Sequence, residues 1–229
     1  MSKTSYFDPR LFKFLRQLKK NNNREWFQKN KARYEEDLRD PLLRFIVDFA
    51  TPLHKISVHF TADPRPMGGS LFRIYRDTRF SKDKSPYKTM AAAHFRHEAA
   101  GDVHAPGFYL HLEPGDVSLA GGIWQPDGDT LAQVRQAIVS HPEQWKRVTS
   151  GKAFKKAWSF WGEKLKRPPA GFDPEHPFIE DLKRKDFVVV LSLTEEDACK
   201  PGFLDRTAEL YKTAAPYVRF LTEAVGLEF

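Results

Sequence analysis

The feature of this sequence that most constrains its fold is a change in the spacing of its apolar residues along the chain. Near the N-terminus, in "DPRLFKFLRQLKK", apolar side chains recur at helical spacing. From about residue 55 to 124, proline and glycine clusters separate short runs in which apolar and polar residues alternate, as they do in β-strands. Helical spacing then returns and is interrupted by the apolar run "DFVVVLSL". We therefore expect an α+β fold.

The first helices have recognisable N-terminal signals. Asp8 followed by Pro9 is typical of an N-cap and a first helical position. After "NNN", Asn22 and Glu25 stand three residues apart, as in a capping box. We predict a first helix from Pro9 and a second helical stretch that ends by Pro52.

The stretch "GFYLHLEPGDVSLAGGIW" predicts the central hairpin of the sheet. Because side chains alternate along a strand, Phe108, Leu110 and Leu112 share one face, which is apolar. If the chain returns antiparallel after its Pro-Gly turn, Leu119 continues that face. The opposite face, which we call the mixed face, then carries Tyr109, His111, Glu113, Ser118, Ala120, Gly122 and Trp124.

Two further stretches, "LFRIYRD" and "AAAHFRHE", resemble strands of the same sheet. In one of their two possible registers they add Arg73, Tyr75, His94 and Arg96 to the mixed face. No linker is long enough to enforce a domain boundary. We interpret residues 1–229 as a single α+β domain, in which an antiparallel or mixed sheet packs against several helices.

Several classes of protein are disfavoured by the composition. The longest purely aliphatic and aromatic run, "FVVVL", is far shorter than the roughly 20 residues that span a bilayer, so we expect no membrane partner. The N-terminal residues lack the apolar stretch of a secretory signal. Cys199 is the single cysteine, which is typical of a reducing compartment. We therefore predict a cytoplasmic location.

Positive charge is concentrated in the first part of the chain. The formal net charge is +7, and residues 1–100 carry 21 Lys and Arg against 11 Asp and Glu. Such an asymmetry favours an anionic partner, because a one-sided field raises the local concentration of phosphates or nucleic acid. Solubility alone is the alternative explanation.

The segment "RIYRDTRFSKDKSPYK", residues 73–88, has the densest positive charge, and we call it the basic segment. Planar arginine guanidinium groups and mobile lysine ammonium groups suit a polyanionic ligand. The aromatic rings between them suit stacking on the bases of a nucleic acid. In the alternative interpretation, Asp77 and Asp83 pair with the arginines and pin a loop. The segment is not a phosphate-binding Walker loop, since it lacks the required glycines. Its predicted anion-binding residues are Arg73, Arg76, Arg79, Lys82, Lys84, Tyr87 and Lys88.

The mixed face offers acid–base residues beside these cations, which would suit a hydrolase. No nucleophile is indicated, because no G-x-S-x-G motif occurs and Cys199 has no recognisable partner. The histidines are not spaced as metal ligands, so we predict no metal site, and the sequence identifies no cofactor. Structural packing of the same residues is the other interpretation. The candidate pocket comprises Tyr75, His94, Arg96, Tyr109, His111, Glu113 and Trp124.

Four runs carry a family resemblance over essentially the whole chain. They are "NNNREWFQKNKARYE", "GGSLFRIYRDTRFSKDKSPYKT", "HAPGFYLHLEPG" and "GGIWQP", in that order. Together they resemble the bacterial family catalogued as domain of unknown function 2461. The resemblance implies a single-domain protein and supplies no catalytic residues, so functional expectations depend on the residues themselves.

Three functional hypotheses follow. The first is a binding protein for an anionic ligand, either a phosphorylated small molecule or nucleic acid, that uses the basic segment. The second is a hydrolase-type enzyme in which His111, Glu113 or His94 acts as acid or base beside the arginines. The third is a structural or protein-interaction module, in which the cations are paired with acids or docked against a partner.

Overall fold

A five-stranded antiparallel sheet organises the computed structural model, which describes residues 4–99 and 104–229. Its strand order is β1-β2-β3-β5-β4, and every neighbouring pair is antiparallel. The prediction of an α+β fold is confirmed, and the sheet is antiparallel rather than mixed. The strands are β1 (Ala91–Arg96), β2 (Gly107–Glu113), β3 (Asp116–Ile123), β4 (Ser159–Trp161) and β5 (Phe187–Leu193).

Helices precede the sheet, lie between its strands and follow it. They are α1 (Pro9–Lys20), α2 (Arg24–Lys29), α3 (Lys31–Tyr34), α4 (Asp40–His54), α5 (Gly128–Ser140), α6 (Pro142–Ser150), α7 (Lys152–Ala157), α8 (Ile179–Leu182), α9 (Glu195–Cys199) and α10 (Phe203–Ala224). A π-helical segment, Glu35–Arg39, joins α3 to α4. Among the described residues, no helix has both the length and the apolar character needed to cross a membrane.

Two predicted helix boundaries are wrong in detail. The N-cap of α2 is Asn23, whose side chain accepts a hydrogen bond from the Trp26 N–H at 2.9 Å. Asn22 therefore does not form the predicted capping box, because its amide binds elsewhere in the fold. Helix α4 continues past Pro52 to His54, since proline in the last turn removes only one intrahelical hydrogen bond.

The register of the sheet confirms the two predicted faces. Leu110 of β2 lies opposite Leu119 of β3, and Tyr109 lies opposite Ala120. On the other side of β2, His94 of β1 also lies opposite Tyr109. Because strand side chains alternate, one face is continuously apolar and the other is the mixed face.

Helix α10 covers the apolar face. The ring of Tyr211 lies 4.7 Å from that of Phe108, and its hydroxyl donates to the backbone carbonyl of Tyr109 at 2.8 Å. Phe49 of α4 packs against Phe95 of β1 with ring centroids 4.8 Å apart. Burial of each such ring stabilises the fold by roughly 1.5–3 kcal/mol, so the apolar face anchors the sheet and leaves the mixed face for other contacts.

The predicted strand "LFRIYRD" is wrong. Leu71 forms an isolated bridge to Ala93 of β1, and Tyr75 forms another to Tyr87. The Phe72 N–H still donates to the Ala92 carbonyl of β1, and beyond Phe72 the chain turns back to pair with its own continuation. That continuation includes Pro86, which has no N–H to donate, so the pairing stays short. Apolar and polar residues do alternate in this stretch. Residues 74–76, however, form their hydrogen bonds with residues 86–88 of the same loop and not with a strand of the sheet.

Gly122 should be essential to the contact between β3 and β5. Its φ is +130°, and a Cβ there would lie 1.9 Å from the Phe187 carbonyl oxygen. We expect Gly122→Ala to lower the free energy of unfolding by about 3 kcal/mol or more. Gly115 is the matched control, because its φ is +83° but a Cβ at that position would have no atom within 4 Å. Urea denaturation of both variants tests this, and an equal loss in the two would contradict it.

Candidate functional site

The base of the basic segment is fixed to the helices through Tyr87. Its ring stacks on Phe27 of α2 with centroids 4.0 Å apart, and the residue is buried. The side-chain amide of Asn22 accepts from the Tyr87 N–H at 3.0 Å and donates to its carbonyl at 2.9 Å. The Lys88 N–H also donates to the Ile74 carbonyl at 2.7 Å, which closes the loop. The ends of the basic segment are therefore held rigidly.

The outer half of the basic segment, residues 76–83, contains ion pairs between its own side chains. Arg76 pairs with Asp83, and Arg79 pairs with Asp77 at 2.7 Å. Hydrogen bonds from the Arg79 side chain and backbone lower the pKa of Asp77 to about 2. Two of the three guanidinium groups are thus already matched to carboxylates, as in the alternative interpretation of this segment.

The remaining cations of the segment differ from these two arginines. The Lys84 ammonium donates to the Thr78 carbonyl at 2.9 Å. The side chains of Arg73 and Lys82 form no ion pair with a carboxylate in the described part of the chain. The positive charges without a carboxylate partner therefore include Arg73, where the segment begins, and Lys82 in the middle of its loop.

Lys88 is the most unusual of these cations. It is half-buried, its ammonium donates to the Arg73 carbonyl at 2.9 Å, and it lies 5.3 Å from the centre of the Phe72 ring. Burial and, secondarily, the charge of Arg73 lower its pKa below the ordinary value. Its surroundings therefore favour the arrival of a negative charge.

A cavity of about 390 Å³ opens beside Lys88, and we call it the basic cavity. Three cationic side chains line it, against a single carboxylate. Hydroxyl and amide groups supply further hydrogen-bond donors. The charged and polar lining residues are Lys19, Asn22, Arg76, Asp83, Ser85, Tyr87, Lys88 and Thr89.

A chain of polar contacts joins the basic cavity to the mixed face. The Thr89 hydroxyl donates to Glu113 at 3.2 Å, and the Lys19 ammonium lies 3.9 Å from the same carboxylate. His111 Nε2 faces Glu113 Oε2 at 3.5 Å and is buried without a hydrogen bond in the described residues. His111 Nδ1 and the Tyr109 hydroxyl share a hydrogen bond of 3.1 Å. Glu113 and its neighbour His111, which are potential acid–base groups, therefore lie close to Lys19 of the basic cavity.

The other predicted pocket residues are more widely spread. The ring of His94 lies 6.5 Å from that of Tyr109, so these two are neighbours. Tyr75 is 56% exposed in the loop and does not lie on the mixed face with the strand residues. Arg96 and Trp124 lie at the opposite end of the sheet from Glu113, roughly 20 Å away along β2. The predicted pocket is thus divided between two ends of the mixed face.

Sequence reasoning missed the three charged or polar residues of the basic cavity that lie outside the basic segment, and within the segment it did not include Asp83 and Ser85. Lys19 lies in the last turn of an amphipathic helix, where a lysine carries no signal of a site, and Asn22 fits the pattern of a helix cap. Thr89 directly follows Lys88, so its position in the sequence could have placed it among the predicted anion-binding residues. Lys19 and Asn22 are brought to the cavity by tertiary packing.

Within the described ranges, the structure offers neither a reactive thiol nor a clustered metal site. Burial raises the pKa of Cys199 to about 11, which leaves little thiolate at neutral pH. Across residues 4–99 and 104–229, no three His, Cys, Asp or Glu side chains converge as metal ligands would. The charged groups of the basic cavity are its three cations and Asp83, and Thr89 connects it to Glu113 and His111 of the mixed face.

Comparison with known proteins gives a family match. The model of the family described as "Conserved hypothetical protein (DUF2461)" matches residues 10–220. Searches of curated proteins and of solved structures find no match. The matched range includes the whole sheet, the basic segment and most of α10.

Proposed function

The chain belongs to the DUF2461 family, and we propose that it binds a phosphate-bearing small molecule in the basic cavity. The observation that carries the proposal is the half-buried ammonium of Lys88, which has a lowered pKa and no carboxylate partner among the described residues. A phosphate beside it would replace lost hydration with charge-assisted hydrogen bonds.

The lining of the cavity suits a phosphate group. Lys88 and Lys19 supply mobile ammonium donors, while Asn22 and Ser85 supply neutral ones. Arg76 also lines the cavity, and its pairing with Asp83 leaves the guanidinium with N–H groups for a second acceptor. The two hydrogen bonds between Asn22 and Tyr87 fix Asn22 and the backbone next to Lys88 before a ligand arrives, which lowers the entropic cost of binding.

A small ligand is favoured over a nucleic-acid strand. Nucleic-acid affinity depends on many unpaired cations that displace counterions from successive phosphates. In the outer half of the segment, Arg76 and Arg79 are instead paired internally. The cavity of about 390 Å³ is of the size of small-molecule sites. We therefore expect weak salt dependence, as for one or two ionic contacts.

Calorimetric titration with inorganic phosphate tests the binding proposal. We expect Lys88→Met to weaken binding about tenfold or more, because it removes a charge-assisted donor. Asp83→Asn should tighten binding, since it removes the competing negative charge while its side-chain oxygen can still accept the Ser85 N–H. The control Lys146→Met makes the same charge change on the exposed surface of α6. Equal affinities of the Lys88 and Lys146 variants would contradict the proposal and favour a structural role for the segment.

A second candidate function is hydrolysis of the bound phosphate ester. It is favoured by His111, whose buried Nε2 is free of hydrogen bonds in the described residues and lies near Glu113, the carboxylate that contacts Thr89 of the cavity. In this scheme His111 takes a proton from water as the water oxygen attacks phosphorus. As the new P–O bond forms, the P–O ester bond breaks and the leaving oxygen departs as an alkoxide or phenolate that takes a proton from solvent. The cations stabilise the negative charge on the phosphoryl oxygens.

Release of nitrophenolate from p-nitrophenyl phosphate tests this second candidate. We expect His111→Asn to reduce turnover at least about a hundredfold, because general-base catalysis is lost, while phosphate affinity stays near that of the wild-type chain. Tyr109→Phe, which removes only the hydroxyl that contacts His111, should have a smaller effect. A wild-type rate no greater than that of His111→Asn would exclude hydrolysis by this group without affecting the binding proposal.

A further inference from the structure

A second cavity, of about 530 Å³, lies at the opposite end of the mixed face, and we call it the tryptophan cavity. Trp161, the last residue of β4, lies opposite Val188, and Trp124 directly follows β3. These side chains are 51% and 41% exposed, which is unusual for tryptophan. Polar groups complete the lining, which includes Trp124, Gln125, Trp161, Glu163, Lys185 and Asp186.

The backbone around this cavity has a specialised conformation. Gln125 has a φ of +46°, and it is the non-glycine residue of the described chain with positive φ. Its N–H donates to Asp186 Oδ1 at 2.8 Å. Gly162 has a φ of +97°, and a Cβ there would lie 2.9 Å from Asp186 Oδ2. Such conformations persist where surrounding contacts enforce them and are concentrated at functional sites.

Asp186 is the central charge of the tryptophan cavity. The residue is only 9% exposed, although it lines the cavity. Oδ1 accepts the Gln125 N–H, whereas Oδ2 accepts no hydrogen bond from the described residues. The Lys185 ammonium is engaged with Glu163 at 2.7 Å. Oδ2 is accessible to solvent in the cavity and is available to accept a charge-assisted hydrogen bond from a donor that enters.

We propose that the tryptophan cavity binds an organic cation with N–H donors, namely an alkylammonium or alkylguanidinium group. Tryptophan is the best aromatic partner for a cation, and Asp186 supplies both the counter-charge and the acceptor oxygen. The charged groups of the lining are two carboxylates and one lysine, so the cavity has a net negative charge. A neutral sugar could stack on the indoles but would leave that charge uncompensated.

This site is independent of the basic cavity. The two cavities share no lining residue, and their charges have opposite sign. One adjoins the Glu113 end of β2, and the other adjoins the strand ends next to Trp124 and Trp161. Failure of phosphate binding would therefore leave the cation proposal unaffected, and the reverse also holds.

Titration of the full chain with agmatine, which carries both an alkylguanidinium and an alkylammonium group, tests the proposal by calorimetry and tryptophan fluorescence. We expect saturable binding that Asp186→Asn weakens at least about tenfold, because the charge is lost while an oxygen can still accept the Gln125 N–H. Trp161→Ala, at an exposed position on the edge strand, should also weaken binding and reduce the fluorescence change. Asp77→Asn, which makes the same charge change at an exposed position outside both cavities, is the matched control and should bind agmatine as the wild-type chain does.

Several outcomes would overturn the proposal. They are the absence of saturation up to about 10 mM agmatine, equal affinity in Trp161→Ala and the wild-type chain, or loss of binding in Asp77→Asn. Binding of methyl glucoside in place of agmatine would assign the cavity to neutral sugars. Urea denaturation of Asp186→Asn shows whether that variant is folded, and Trp161→Ala keeps the test decisive if it is not.

Discussion

The attachment of Tyr87 to the N-terminal helices is the interaction on which the basic cavity depends. Asn22 binds both backbone polar groups of Tyr87, while the Tyr87 ring stacks on Phe27. This attachment places the next residue, Lys88, in a half-buried position against Phe72. The free energy gained by the stacked rings thus offsets the cost of desolvating an ammonium group that has no carboxylate partner among the described residues.

Local sequence patterns predicted the fold well wherever structure depends on local contacts. The alternation in β2 and β3 and the short turn between them determine both faces of the sheet, including the placement of Tyr109 and His111. The same pattern failed over residues 73–77, because alternation does not identify a hydrogen-bond partner. There the chain pairs with residues 86–88, and Pro86 limits the ladder.

The candidate site was only partly predictable, because charge counts do not reveal pairing. Asp77 lies two residues before Arg79, and this short spacing already suggests that the two side chains pair with each other instead of binding an external anion. Lys19 and Asn22 reach the basic cavity through helix packing across a sequence separation that no local motif spans. The tryptophan cavity is similar: the aromatic cluster around Trp161 is typical of core packing, and its position opposite Val188 emerges only with the strand order.

The titration of Lys88 tests the central claim most directly. NMR of side-chain-labelled lysine, with the Lys88 signal identified by its loss in Lys88→Met, gives the pKa of this ammonium with and without inorganic phosphate. Burial and Arg73 should hold the pKa of free Lys88 below the ordinary lysine value, and bound phosphate should raise it, because an adjacent anion stabilises the protonated form. A pKa at or above the ordinary value in the free protein, or one that phosphate leaves unchanged, would contradict the account.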